Sequence, residues 1–277
     1  MLTHKNQRRA AWPKVALAMV LVGSFAILGE TGAYANTAVT LYVNASDSGS
    51  SCLDNSTNAC PTLQAAVNVA ETYASTDVTI DVAAGTYVEN DTINLPTTDS
   101  LTIQGATASS TLLNANSDGR ALSIGASGPG GPVTISNLTI ENGDYQASAN
   151  ADGAGIYDLS NDLTIRNCTF TNNQTYGSTI LNTQDGDASG GAIYYDDPSS
   201  ELTVTSDTFT SDLADAGAGG GPYNGGAAAG GAIYVAGGEF YGEFDTFSSD
   251  TVTGGVGASA GTGSAAARVL GARGNDR

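Results

Sequence analysis

Residues 190–212, GGAIYYDDPSSELTVTSDTFTSD, and residues 230–250, GGAIYVAGGEFYGEFDTFSSD, are two copies of one pattern; residues 153–173, GAGIYDLSNDLTIRNCTFTNN, are a third, more degenerate copy. A chain that repeats itself at a fixed period folds by stacking equivalent units, and this constrains it more than any local motif does. Ile156, Ile193 and Ile233 recur at intervals of 37 and 40 residues, and Phe170, Phe209 and Phe247 at 39 and 38. Each period holds two strand clusters, which predicts two coils of about 18–20 residues per repeat.

From Thr76 onward the segments VTIDV, LTIQG, VTISNLTI, LTIRNCTF, LTVTSDTF and GEFYGEFDTF alternate apolar or β-branched residues with polar ones. That is the two-residue period of a strand, and the Gly, Asn, Asp and Ser clusters between them are turns. A hairpin meander would also give many short strands. Against it, equivalent strands carry the same residues at the same slots, as stacking in a solenoid requires. Asn137 and Asn167 each fall between two apolar pairs, where a residue that tolerates left-handed backbone angles turns the chain sharply. The expected fold is all-β, a right-handed single-stranded parallel β-helix over residues 76–255. Ile156, Cys168, Phe170, Ile193, Phe209, Ile233 and Phe247 are its repeated core. Tyr194 and Tyr234 point outward, and the pairs Gly190-Gly191 and Gly230-Gly231 admit the chain where a Cβ would collide with neighbouring coils.

Residues 36–75 form the lead-in. AVTLYVNAS, residues 38–46, reads as a first strand. PTLQAAVNVAETYAS, residues 61–75, reads as a helix, with Pro61 opening it and Leu63, Ala66, Val67 and Ala70 on one face. A solenoid exposes unpaired backbone at its ends, and this helix is placed to cap the N-terminal one. Between strand and helix, Cys52 and Cys60 lie in a short polar loop; a disulfide closing it fits an oxidising compartment, two free thiols being the alternative. Cys168 takes an apolar slot of the repeat and reads as an inert buried thiol.

The first 35 residues are not read as fold. Lys5, Arg8, Arg9 and Lys14 precede the apolar run VALAMVLVGSFAIL, and Ala33-Tyr34-Ala35 supplies a small-x-small cleavage pattern. This predicts a secretory signal peptide cut after Ala35, an uncleaved anchor being the alternative, and a secreted or cell-surface protein with no later membrane-spanning segment. Four of the nine Lys+Arg and one of the 28 Asp+Glu precede residue 36, so the remaining chain has a net charge of −22 and neither Lys nor His. Such a chain repels phosphate backbones, which excludes nucleic acid as a partner class. Residues 256–277 break the pattern where a new GGAIY is due, and read as a disordered tail or as a truncated or frameshifted end.

The stretch LYVNASDSGSSC…ACPTLQAAVNVA…VTIDVAAGTYVENDTINL…LTIQGATASSTLLNAN, residues 41–116, resembles the opening of exported pectin-lyase-like right-handed parallel β-helix proteins. The GGAIY and Phe170–Asn173 elements are similar to the GGA(I/L/V) and FxxN repeats of polymorphic outer-membrane proteins. The first copy departs from that pattern with Gly153-Ala154-Gly155-Ile156, and later copies carry Asp212 and Asp250 where the pattern has Asn. The resemblance covers about residues 38–255. It implies architecture rather than activity, because this fold carries lyases, hydrolases, esterases and adhesins alike.

Asp196-Asp197 is the one carboxylate pair, but adjacent strand residues point to opposite faces, and Pro198 with two serines marks a solvated corner. The resemblance implies polygalacturonases that pair aspartates with His, Arg and Lys, and pectate lyases that use calcium with a basic residue, usually Arg. Only Arg120 and Arg166 lie within the repeats: Arg120 reads as a turn residue, Arg166 as an outward residue pairing with Asp162 and Asp207. No catalytic residue is assigned. Asp185 and Asp187 in QDGDASGG are candidate calcium ligands, the only cofactor the sequence brings into view. The expectation is a secreted, non-catalytic surface or adhesion-type protein whose partner is a polysaccharide or cell-surface macromolecule; the alternative is a pectate-lyase-like or glycosidase-like polysaccharide-degrading enzyme.

Overall fold

The computed structural model describes residues 37–256 apart from 51, 54–57, 126–129, 148, 160, 179–185 and 220–223. Residues 1–36, which include the predicted signal peptide, and residues 257–277 therefore lie outside the described residues. Those described are predominantly β, with one helix, α1 (Leu63–Ala70), and sheets whose strand pairs all run parallel. Parallel pairing excludes the hairpin meander, since two-residue turns join only antiparallel strands.

Four sheets share the work. A ten-stranded sheet has two arms. One arm runs through Thr37–Val43, Thr76–Val82, Ser100–Gly105, Val133–Ser136 and Leu163–Arg166; the other runs through Asp91–Ile93, Leu122–Ile124 and Ile156–Asp158. The arms merge in the long strand Ile193–Thr205, which pairs with both Ile156–Asp158 and Leu163–Arg166 and then with Ile233–Glu243. A six-stranded sheet stacks Gly85–Val88, Thr111–Asn114, Thr139–Glu141, Thr169–Thr171, Thr208–Thr210 and Thr246–Ser248. Smaller sheets are built by Asp144–Ala147, Gln174–Gly177, Leu213–Asp215 and Thr251–Thr253, and by Ala151–Asp152, Ala188–Ser189 and Ala228–Ala229.

One feature of the register corrects the sequence expectation. Ile156 lies directly opposite Ile193, and Ile193 opposite Ile233, just as Phe170, Phe209 and Phe247 align. One repeat of 37–40 residues is thus a single rung, not two coils: its two strand clusters lie in different sheets. Elsewhere the rungs vary in length. Val78 is opposite Leu101, 23 residues on, whereas Leu163 is opposite Leu202, 39 residues on.

The apolar residues of most strands meet in one core, while Ala188, Ala214, Ala216 and Ala228 form a smaller cluster of their own. Ile156, Ile193, Phe170, Phe209 and Cys168 are buried in the larger core as expected. Phe170 stacks on Phe209 at 4.8 Å and Phe209 on Phe247 at 4.9 Å, both within 8° of parallel. Ile233 is only half-buried and Phe247 is 50% exposed, because no described residue covers the last rung. The chain turns at equivalent corners in left-handed conformations: Asn137, Asn167, Ser206 and Phe244 at one, Asn142, Asn172, Ser211 and Ser249 at the next. The asparagines do what their side chains allow; Phe244 does the same without that help.

The first strands are covered. Helix α1 starts at Thr62, whose hydroxyl accepts from Ala65 N, so Thr62 rather than Pro61 opens it. Leu63, Ala66, Val67 and Ala70 are buried as their spacing predicts, and the helix ends at Ala70, short of Ser75. Its polar side chains substitute for a neighbouring strand along Asp91–Ile93. Gln64 Oε1 accepts from Thr92 N (2.6 Å), Gln64 Nε2 donates to Thr92 O (3.1 Å), and Glu71 Oε1 accepts from Asn94 N (2.6 Å). The Cys52–Cys60 disulfide is formed, and its loop pairs with the first strand: Tyr42 N donates to Cys52 O and Cys60 N to Tyr42 O. Both devices supply backbone partners an edge would otherwise lack. No helix among the described residues is long and apolar enough to cross a membrane.

Candidate functional site

Where the three-stranded sheet hands over to the ten-stranded one, each rung makes the same tight turn. Gly153, Gly190 and Gly230 hold φ of +59°, +60° and +62° there, and a Cβ on Gly190 would stand 2.1 Å from Ile193 O. Only glycine fits, for conformation and for space. The turn fixes the next strand so that Ile193 enters the core and Tyr194 faces out. Tyr157, Tyr194 and Tyr234 therefore align in one column, rings stacked at 5.4 Å and 5.7 Å with interplanar angles of 20° and 30°.

Below Tyr157 the register places Ser123, a small residue. The space is filled by Arg120, whose guanidinium carbon lies 3.9 Å from the Tyr157 ring centroid and 3.6 Å from that of Tyr145. Arg120 Nε donates to Asp152 O (2.9 Å) and Gly153 O (3.2 Å). The cation, in close contact with both aromatic rings, closes the base of the tyrosine column. Burial lowers its pKa, while Tyr145, Tyr157 and Asp152 oppose that shift; a guanidinium so placed stays charged. Reading Arg120 as a mere turn residue missed this site.

Three carboxylates border the column. Asp152 is held above the usual carboxylate range, chiefly by burial and further by the charges of Asp187 and Asp196, with Ser189 and Arg120 opposing. The Tyr194 phenol is pushed up first by burial and then by Asp152 and Asp196. Asp187 accepts from Ala227 N at 2.7 Å, and Asp197 is engaged by Ser199 N (2.9 Å) and Ser200 Oγ (2.7 Å) at the corner, while Asp196 lies at an irregularity of the ladder. Asp185 lies outside the described residues, and among the described residues no group of three or more His, Cys, Asp or Glu is placed to hold a metal ion.

The remaining candidates are structural. Arg166 is exposed, but Asp207 is not its partner: that carboxylate is buried and accepts from Cys168 N (2.6 Å) and Thr205 N (2.8 Å). The Cys168 thiol is buried and free, pushed up to about 12 by burial first. On the outer face of the long arm the register aligns Thr40, Thr79, Thr102, Thr134, Thr164 and Thr203 in one row, ending on Tyr241. Near the disulfide loop a cavity of about 360 Å³ is lined by Tyr42, Asn44, Asp81 and Gln104 among others. The lateral surface is thus one of hydroxyls, amides, carboxylates and phenols, with Arg166 its exposed cation among the described residues.

No family model, curated protein or solved structure matches the chain.

Proposed function

We propose that the protein is an exported, non-catalytic, right-handed single-stranded parallel β-helix of the pectin-lyase-like kind, a surface or adhesion-type protein that binds a neutral polysaccharide along its tyrosine column. The observation that carries this reading is the placement of Arg120 against two tyrosine rings. The one cation beside the bordering carboxylates lies against the rings of Tyr145 and Tyr157 and has its Nε bonded to two backbone carbonyls. A group held in that way orients rings; it does not abstract a proton. What it orients is a column of phenols repeating every 5.4–5.7 Å, comparable with the length of one sugar unit in an extended chain. Phenol and threonine hydroxyls donate and accept hydrogen bonds, as sugar hydroxyls require. A chain carrying −22 beyond its signal segment favours an uncharged polymer over an acidic one.

The test is affinity electrophoresis and calorimetry of the chain from residue 36 onward against neutral and acidic polysaccharides, with and without calcium. Expected is retardation by a neutral polymer that Tyr194→Ser reduces at least tenfold, with no shortening of the polymer. Release of reducing ends or of unsaturated products would replace this reading with the degrading enzyme.

A further inference from the structure

The two ends of the stack are unlike. At the first rungs, Gln64, Glu71 and the disulfide loop occupy backbone groups of the outer strands. At the last rung, residues 241–253 leave Phe247 50%, Tyr241 50% and Phe244 79% exposed, whereas the equivalent Phe209 is fully buried. Three series stop there together. The phenylalanine stack ends on the open face of Phe247. In one Asx series Asp207 Oδ1 accepts from Cys168 N (2.6 Å) and Asp245 Oδ1 from Asp207 N (2.9 Å). In the other, Asp212 Oδ1 accepts from Asn173 N (2.8 Å) and Asp250 Oδ1 from Asp212 N (3.0 Å). The next amides in the two series belong to Asp245 and Asp250, so the rung offers an aromatic face between two donors and three parallel strand edges.

We propose that this rung is a docking surface for an extended segment of another polypeptide that carries the repeat's own pattern, an aromatic residue with Asx two positions before it and three after, laid down parallel to Thr246–Ser248 and Thr251–Thr253. The surface continues a contact the molecule already makes twice, since residues 168–176 lie on residues 207–215 and these on residues 245–253 in the same way. Strand addition supplies main-chain hydrogen bonds, and the ring and Asx positions set register and direction. A second copy fits poorly. Its first rungs are covered, and its last rung would bring Glu239, Glu243, Asp245 and Asp250 against the same four carboxylates, with no Lys, Arg or His anywhere in residues 167–256 to offset them.

The probe is a labelled synthetic peptide with the sequence of residues 206–215, SDTFTSDLAD, and a form with Asn at both Asx positions, titrated into the chain from residue 36 onward and followed by anisotropy and amide hydrogen exchange. Expected is saturable binding that slows exchange at the amides of Asp245, Phe247, Asp250 and Val252, which face away from the rung below, whereas Thr246 and Thr251 already donate to Asp207 O and Asp212 O. Binding is at least tenfold weaker when the peptide's phenylalanine is replaced by serine, and lost when its sequence is reversed. No binding, equal binding of the reversed peptide, or protection elsewhere overturns the proposal. So does protection of these amides in the protein alone, whether it vanishes on dilution, which makes a second copy the occupant, or on deletion of residues 257–277, which makes that segment the occupant.

Discussion

Asp212 Oδ1 lies 2.8 Å from the backbone nitrogen of Asn173, its equivalent one rung below, and accepts its hydrogen. Asn173 does the same for Gly143 N (3.0 Å), and its Nδ2 also donates to Ile140 O (3.1 Å). Asp212 has an oxygen where Asn173 has that amide nitrogen, and the oxygen is buried without a partner. A carboxyl in this place favours its protonated form, which can donate as the amide does.

Stability accordingly falls as pH rises. Burial, as the largest cause, raises Asp212 to about 8 and Asp207 to about 7. Both lie above the unfolded value of roughly 3.9. Their contribution is fully present below pH ~4 and is lost as pH climbs through 7 and 8, because the unfolded chain then binds fewer protons than the folded one. Thermal unfolding followed by circular dichroism should give a lower Tm at pH 8.5 than at pH 5. Asp212→Asn should raise stability at pH 8.5 by on the order of 1 kcal/mol and leave it little changed at pH 5. A Tm that rises over this interval would refute the assignment.

Phe244 holds φ of +61° where its equivalents are Asn137, Asn167 and Ser206, and its ring is 79% exposed. Phe244→Asn keeps the turn and relieves a conformation costly for a bulky side chain, a gain of roughly 1 kcal/mol in urea unfolding. No gain would mean that the exposed ring stabilises the corner.

Arg120→Lys is not a conservative change at this site. A compact ammonium cannot cover two rings or reproduce the Nε contacts to Asp152 O and Gly153 O. The expected cost is about 1–3 kcal/mol in denaturant unfolding, together with weaker polysaccharide binding. Lysine matching arginine in both measurements would remove the ring contacts from the explanation.

Reduction of Cys52–Cys60, whose sequence separation is 8, should destabilise the chain by roughly 2–3 kcal/mol. Cys60 N and Cys52 O pair with Tyr42, so hydrogen exchange should accelerate first along Thr37–Val43. Uniform acceleration over all strands would show that the loop acts on the whole stack at once.

Strand composition, the corner asparagines 137 and 167, the buried face of α1 and the cysteine pair were legible in the sequence because each depends on residues close together in the chain. Pairing was less so. A two-residue alternation marks a strand but does not say which neighbour it takes, and a repeat with two strand clusters fits one long rung as well as two short coils. Tyr194 and Tyr234 could be assigned outward from alternation alone. The placement of Arg120 could not, since Tyr145 and Tyr157 reach it from different strands 25 and 37 residues away. The covered state of Phe209 and the open state of Phe247 are likewise invisible locally: both sit in DTF, and only position in the stack separates them.

The unequal rung lengths have an evolutionary corollary. Registers spanning 23 and 39 residues both keep apolar positions aligned, and lengthening a connection from the first to the second costs only about 0.5 kcal/mol of closure entropy. Length is then nearly free to drift wherever the chain leaves a sheet, while the aligned columns hold still. New decoration can be inserted at those exits, one rung at a time, without renegotiating the interior.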